Sequence, residues 1–174
     1  GGIHAFIKPQ SGESVSASIN GAVLSANLLL SANRLYTNPF IPVQTITCTS
    51  LYINVSTSAI SALARILIYS DLDGLPDIKL YESADLDCST TGIKTATTTF
   101  TFTAGTIYWL TLHANTNPQL TALTSSQVIP VRVTNTSQSS LFVRSTAPAF
   151  GSAPSPFGAV TGSATSVPLI GITL

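Results

Sequence analysis

The sequence predicts an all-β protein, an antiparallel β-sandwich of jelly-roll type. Three observations predict it. About eight to ten short runs, rich in Val, Ile, Leu, Phe, Tyr and Thr, recur at regular spacing between turn residues. Ser and Thr together make up 47 of the 174 residues, and β-branched Thr packs well on a pleated, half-exposed face. Helical spacing of apolar residues is almost absent, with Val23, Leu24, Leu28, Leu29 and Leu30 its only marks.

The length suits one domain that can bury most of the surface its unfolded chain exposes. Residues 1–33 are expected as a lead-in of two short strands and a loop, Ser-, Ala- and Asn-rich after Lys8. Residues 34–174 are expected as the sandwich. Arg34–Phe40 opens it, and Pro39 and Pro42 mark an edge or a turn. Thr45–Ser56 alternates, with Leu51, Ile53 and Val55 on one face. Ala64–Ser70 is apolar almost throughout, apart from Arg65, as in a strand at the middle of a sandwich. Asp-Gly and Pro in the stretch Asp71–Asp77 signal a turn, and Ile78–Ser83 returns as a strand. Thr95–Thr103 sets Phe100 and Phe102 against Thr99 and Thr101. After a turn at Ala104-Gly105, Thr106–His113 sets Tyr108, Leu110 and Leu112 against Ile107, Trp109 and Thr111. Val128–Val133 and Leu141–Val143 add two strands. Residues 147–167 form an extended Pro-, Gly- and Ser-rich segment before a closing apolar strand. That segment reads either as an arm on a neighbouring subunit or as a long surface loop.

Charged residues are only 8% of the chain, about a third of the globular average of about 25%. Net charge is zero and the seven Lys and Arg are scattered singly, so nucleic-acid binding has no electrostatic footprint. A neutral chain also lacks the self-repulsion that keeps copies apart, which fits a component of an assembly. No apolar run approaches the ~20 residues of a membrane span, and membrane insertion is not expected. The start, Gly1-Gly2-Ile3-His4, lacks a signal-peptide pattern. It leaves open a processed terminus, a cloning remnant or a domain cut from a longer protein.

Six of the seven acidic residues fall in one short stretch: Asp71, Asp73, Asp77, Glu82, Asp85 and Asp87. Asp71, Asp73 and Asp77 on a tight turn offer the hard oxygen ligands of a calcium site, with Asp85 and Asp87 as natural further ligands. The run departs from an EF-hand loop, because Gly74 falls two positions early and no Glu closes it. An Asp-rich hairpin bonded to its own backbone explains it equally. No other cofactor is expected.

Catalytic patterns are missing. His4 and His113 belong to no triad, no Gly-x-Ser-x-Gly elbow occurs, and the carboxylates sit on one turn rather than across a cleft. The protein is expected not to be an enzyme. Cys48 and Cys88 make no zinc spacing and read as two buried thiols or, if their strands are neighbours, a disulfide. Trp109 and Tyr108 point to opposite faces, and the Trp is expected in the core. Tyr36, Tyr52, Tyr69 and Tyr81 are unranked candidates for a sugar-stacking surface. Arg65, inside an apolar strand, seeks a carboxylate, with Glu82 or Asp85 as partner, or else faces solvent or a neighbouring subunit.

The order of pieces in residues 34–113 resembles a domain of bacteriophage virion structural proteins. Its marks are Asn38-Pro39-Phe40, then Arg65-Ile66-Leu67-Ile68-Tyr69-Ser70-Asp71 running into Gly74-Leu75-Pro76. Leu80-Tyr81-Glu82-Ser83 and Ser89-Thr90-Thr91-Gly92-Ile93-Lys94 follow, then Thr103-Ala104-Gly105-Thr106-Ile107-Tyr108-Trp109-Leu110. The resemblance covers about half the chain and carries no catalytic motif. It implies a β-sandwich on tail fibres, tail appendages or capsid decoration, in symmetric and often trimeric assemblies. The expected function is therefore a non-enzymatic virion component at the particle surface. As a homotrimeric tail-fibre or appendage module among other virion proteins, it would present loops to a bacterial surface glycan for host attachment. A capsid decoration (cement) protein is the alternative, and a carbohydrate-binding module of a secreted enzyme also fits the fold.

Overall fold

The computed structural model describes residues 14–15, 26–124, 132–133, 138–139, 142–144, 148–160 and 166–174. Among them there is no helix, and two antiparallel sheets pack face to face as a β-sandwich.

The spine of the first sheet is β4 (Ile46–Thr57). Its alternation sends Ile46, Cys48, Leu51, Ile53 and Val55 into the core. The one slip in phase falls between Cys48 and Leu51, where the ladder to β8 (Gly92–Phe102) carries a bulge between Cys48 and Ser50. The other side of β4 is forked. β15 (Gly171–Thr173) takes Ser50–Tyr52, and β10 (Gln119–Thr124) takes Val55 and Thr57. β14 (Ser166–Pro168) pairs with β10, so the run 166–173 fills the fork between them. Two strands from the expected lead-in join this sheet: β1 (Ser14–Val15) beside β15, and β2 (Ala26–Leu29) beside β10.

The second sheet runs β13 (Phe142–Arg144), β3 (Leu35–Phe40), β9 (Tyr108–Ala114), β5 (Leu63–Leu72), β6 (Leu75–Glu82). β7 (Leu86–Asp87) caps one end of β5. In a separate two-stranded pair, β11 (Arg132–Val133) falls in the expected strand Val128–Val133, whose first four residues lie outside the described ones, whereas β12 (Gln138–Ser139) is not among the expected strands. Leu72 pairs with Leu75, which leaves Asp73-Gly74 as a two-residue hairpin loop. Both loop residues are left-handed (φ +53° and +79°), the conformation that Asp-Gly accommodates in a tight hairpin. Pro39 sits in a strand with neighbours on both sides, yet β13 pairs only with Leu35, Tyr36 and Thr37. Among the described residues no β13 partner stands opposite Pro39, so no described ladder bond on that side needs its missing N–H.

The two sheets bury a core in which rings meet edge-on. Phe102 contacts Phe40, Phe100 and Tyr108 at centroid separations of 5.3, 4.8 and 5.1 Å. Such pairs each add about 0.5–1.5 kcal/mol beyond area burial.

The second sheet is buried on its other side too. Residues 148–160 cross its outer face as a strap and seal a second apolar cluster of Leu35, Leu67, Tyr69, Trp109, Ala153 and Phe157. Phe157 meets Tyr69 edge-on at 5.0 Å. The Tyr69 hydroxyl donates to the Pro154 carbonyl at 2.8 Å, and the Phe157 amide donates to the Asp77 carbonyl at 2.7 Å. This part of the segment expected either as a subunit arm or as a surface loop thus packs on its own chain. It also explains why β5 is apolar on both faces: Ile66 and Ile68 enter the main core while Leu67 and Tyr69 face the strap.

Candidate functional site

Two faces of the sandwich differ in what they offer. On the exposed face of the first sheet, β8 presents Thr95, Thr97, Thr99 and Thr101, and β4 presents Thr47 and Thr49. Thr47 and Thr101 share a hydrogen bond across the strands, Oγ1 to Oγ1 at 2.9 Å. The Asn54 amide donates to Thr121 Oγ1 at 2.9 Å. Among these hydroxyls lies Tyr52, in register with Thr95 on one side and Gly171 on the other. A Cβ at position 171 would come within 2.1 Å of Tyr52 Cζ, so the ring lies across the glycine and uses the space that only glycine leaves. The other aromatic candidates are committed elsewhere. Tyr36, Tyr69 and Trp109 are buried, and Tyr81 packs toward the core beside Phe100. Tyr52 is the ring left on the open hydroxyl face.

The acidic stretch is divided among separate structural tasks. Asp71 Oδ1 accepts from the Trp109 indole N–H at 2.8 Å, and its Oδ2 accepts from the Gly74 amide at 3.2 Å. Asp73 is a hairpin-loop residue. Asp85 faces Arg65, and Asp87 Oδ1 accepts from the Ser89 amide at 2.8 Å. The Ser89 hydrogen bonds hold the Asp87 pKa below the ordinary value. Among the described residues no three His, Cys, Asp or Glu side chains gather as a metal-binding group. Each Asp71 oxygen already accepts one N–H, and Asp73 and Asp77 are not gathered with it into such a group.

Arg65 takes both carboxylates that the sequence proposed for it. Its Nη1 donates to Glu82 Oε1 at 3.0 Å and its Nε to Asp85 Oδ1 at 2.6 Å. Lys79 Nζ donates to Glu82 Oε2 at 2.6 Å and to the Ala153 carbonyl at 3.0 Å, tying the cluster to the strap. Burial alone would raise the Glu82 pKa, but the hydrogen bonds from Lys79 and Arg65 outweigh it and hold the carboxyl below its ordinary value. The hydrogen bonds that Arg65 donates to Asp85 and Glu82 push its own pKa upward. The guanidinium also stacks on Phe150, 5.2 Å from the ring centroid. Beside it His113 is fully buried, with its ring 5.4 Å from Phe150.

Cys48 and Cys88 are free and buried, and burial pushes the Cys88 thiol up to about 11, far from the thiolate form that reacts. Sequence reasoning did not single out Phe150 or the Tyr52–Gly171 contact. The signal for the first is the double-faced burial of β5, which demands a cover. The second depends on a cross-strand register that no local pattern encodes.

Comparison with protein-family models, with curated proteins and with solved structures finds no match to this chain.

Proposed function

We propose that this protein is a non-enzymatic structural component of a bacteriophage virion, a sandwich of jelly-roll type on a tail fibre or appendage. In this reading it sits at the particle surface as a homotrimer among other virion proteins and presents a face to a bacterial surface glycan. The observation that carries the glycan half is Tyr52, an aromatic ring on an open, uncharged, hydroxyl-lined face. Such a ring stacks on the apolar face of a pyranose, while Thr and Asn side chains supply directional hydrogen bonds. Individually weak contacts of this kind gain strength from repetition across a symmetric assembly. The virion half rests on the order of motifs in residues 34–113, which fall on β3, β5, β6, β8 and β9 and on turns beside them.

The alternative of a capsid decoration protein needs an arm for its neighbours, and the strap, which lies on its own chain, supports it less. The test is the mass of the purified protein by light scattering, followed by an array of bacterial polysaccharides probed with wild type and Tyr52→Ala. A trimer whose binding disappears with Tyr52 supports the fibre reading. A monomer with the same Tyr52-dependent binding transfers the protein to the carbohydrate-binding modules. A monomer that binds no polysaccharide sinks both.

A further inference from the structure

The strapped face holds one buried polar side chain that no described residue satisfies. His113, on β9, is in register with Arg65 of β5 and Leu35 of β3, and neither ring nitrogen has a hydrogen-bond partner among the described residues. Its cover is the front of the strap. The Phe150 ring lies over both His113 and Arg65, and Gly151 passes over the same guanidinium. Among the described residues this front section is fastened to the rest of the chain by one hydrogen bond, the Phe150 amide donating to Asn33 Oδ1 at 3.0 Å. The rear is fastened more heavily, through Phe157, the Tyr69 hydroxyl and Lys79.

We propose that residues 148–152 form a latch that opens in mildly acidic solution, when His113 takes up a proton, while residues 153–157 stay docked. The charges around the ring explain why a proton there is not accommodated with the latch closed. Arg65, on the adjacent strand, is already cationic. Glu82 is the carboxylate whose field reaches the ring, but its two oxygens are held by Arg65 and Lys79, and Asp85 is held by Arg65. Arg144 of β13 is in register with Leu35, one strand beyond, and adds no anion. Residues 148–160 carry no titratable side chain. A second cation would thus be enclosed beside Arg65, under a ring that Arg65 already occupies, with both Glu82 oxygens engaged and Asp85 bound to Arg65 through Oδ1.

The linkage has a definite sign. Burial pushes the His113 pKa below its ordinary value of 6.5. The Pro148 carbonyl and Glu82 oppose that shift, the carbonyl without reaching hydrogen-bond geometry, and Arg65 reinforces it. With the latch open the imidazole regains water and titrates near the ordinary value. The open form therefore binds more protons once the pH falls below about 6.5, and the closed form loses stability from there down to its own lower pKa. Above that window both forms are neutral and the latch is indifferent to pH.

The test is hydrogen exchange at pH 7.5 and 5.0, corrected for the intrinsic rate at each pH, with NMR titration of the His113 ring. Protection of residues 150–152 should fall at the lower pH, by up to about thirtyfold, because each unit below the ordinary pKa is worth up to tenfold in opening. β5 and β9 should keep their protection, and Trp109 fluorescence should not shift. His113→Leu should hold residues 150–152 closed at both pH values. Equal protection of wild type at the two pH values overturns the latch, as does an equal loss in His113→Leu. Should that variant not fold, the wild-type ring decides alone. A ring that titrates at 6.5 or above, or that titrates without a matching change in the Phe150 amide, also overturns it.

Discussion

Single side chains here act through the partners they leave behind. Trp109→Phe removes the indole N–H from Asp71 Oδ1 and opens a gap in the strapped cluster. The expected cost is about 2–3 kcal/mol in chemical denaturation. Asp71→Asn keeps one oxygen for the indole N–H but turns its NH2 toward the Gly74 amide, and should cost about 1–2 kcal/mol. The reverse ranking would show that the charge of Asp71, not its acceptor, matters. Around Arg65 the two carboxylates are unequal. Glu82 serves both Arg65 and Lys79 and its side chain is 17% exposed, whereas Asp85 serves Arg65 alone at 40%. Glu82→Gln should therefore destabilise by on the order of 1–2 kcal/mol, and Asp85→Asn by no more than about 0.5 kcal/mol. The Glu82 pKa is depressed in the folded protein, so its contribution is complete above the ordinary 4.5 and fades as the pH falls through the lower, folded value. Urea midpoints for wild type and Glu82→Gln should converge below that range; midpoints that stay apart would contradict the assignment.

Among the elements, those with a strong local cause were legible and those with a distant cause were not. Alternation in Thr45–Ser56 and Thr95–Thr103, and Asp-Gly between two apolar runs, are written in neighbouring residues, and β4, β8 and the β5–β6 hairpin follow them. The hairpin can be tested directly. Gly74→Ala puts a Cβ at φ +79° and should cost about 1–2 kcal/mol, seen as a melting temperature lower by several degrees. β10 escaped the sequence reading because Gln119–Thr124 is short, contains Ala and follows Asn-Thr-Asn-Pro. Its identity as a strand comes from β2, β4 and β14 pairing around it. The same holds for the site. The acidic stretch is obvious in sequence, but its carboxylates are assigned to Trp109, Arg65 and local amides by contacts as distant as Asp71 and Trp109. Tyr52 owes its place to Gly171, far downstream in the chain.

For the whole molecule the strap changes what truncation means. Removing residues 147–174, which would test a subunit arm, also strips the cover from Trp109 and withdraws β14 and β15 from the first sheet. The expected product is an unfolded or aggregated chain rather than a monomer, and circular dichroism would show it. Phe157→Ala is the gentler probe: it should cost about 3–5 kcal/mol while leaving the first sheet intact. Adding calcium or EDTA should leave the melting temperature within about 1 °C, because the carboxylates do not gather into a metal-binding group among the described residues; a shift of several degrees would restore the ion. The fork beside β4 has a consequence in time. Its filling strand, Gly171–Thr173, is interior to the sheet yet more than a hundred residues downstream of its partner. A ribosome making this chain must therefore extrude residue 173 before the sheet can close, and until then β4 carries an open edge for chaperones, or for other nascent chains, to seize.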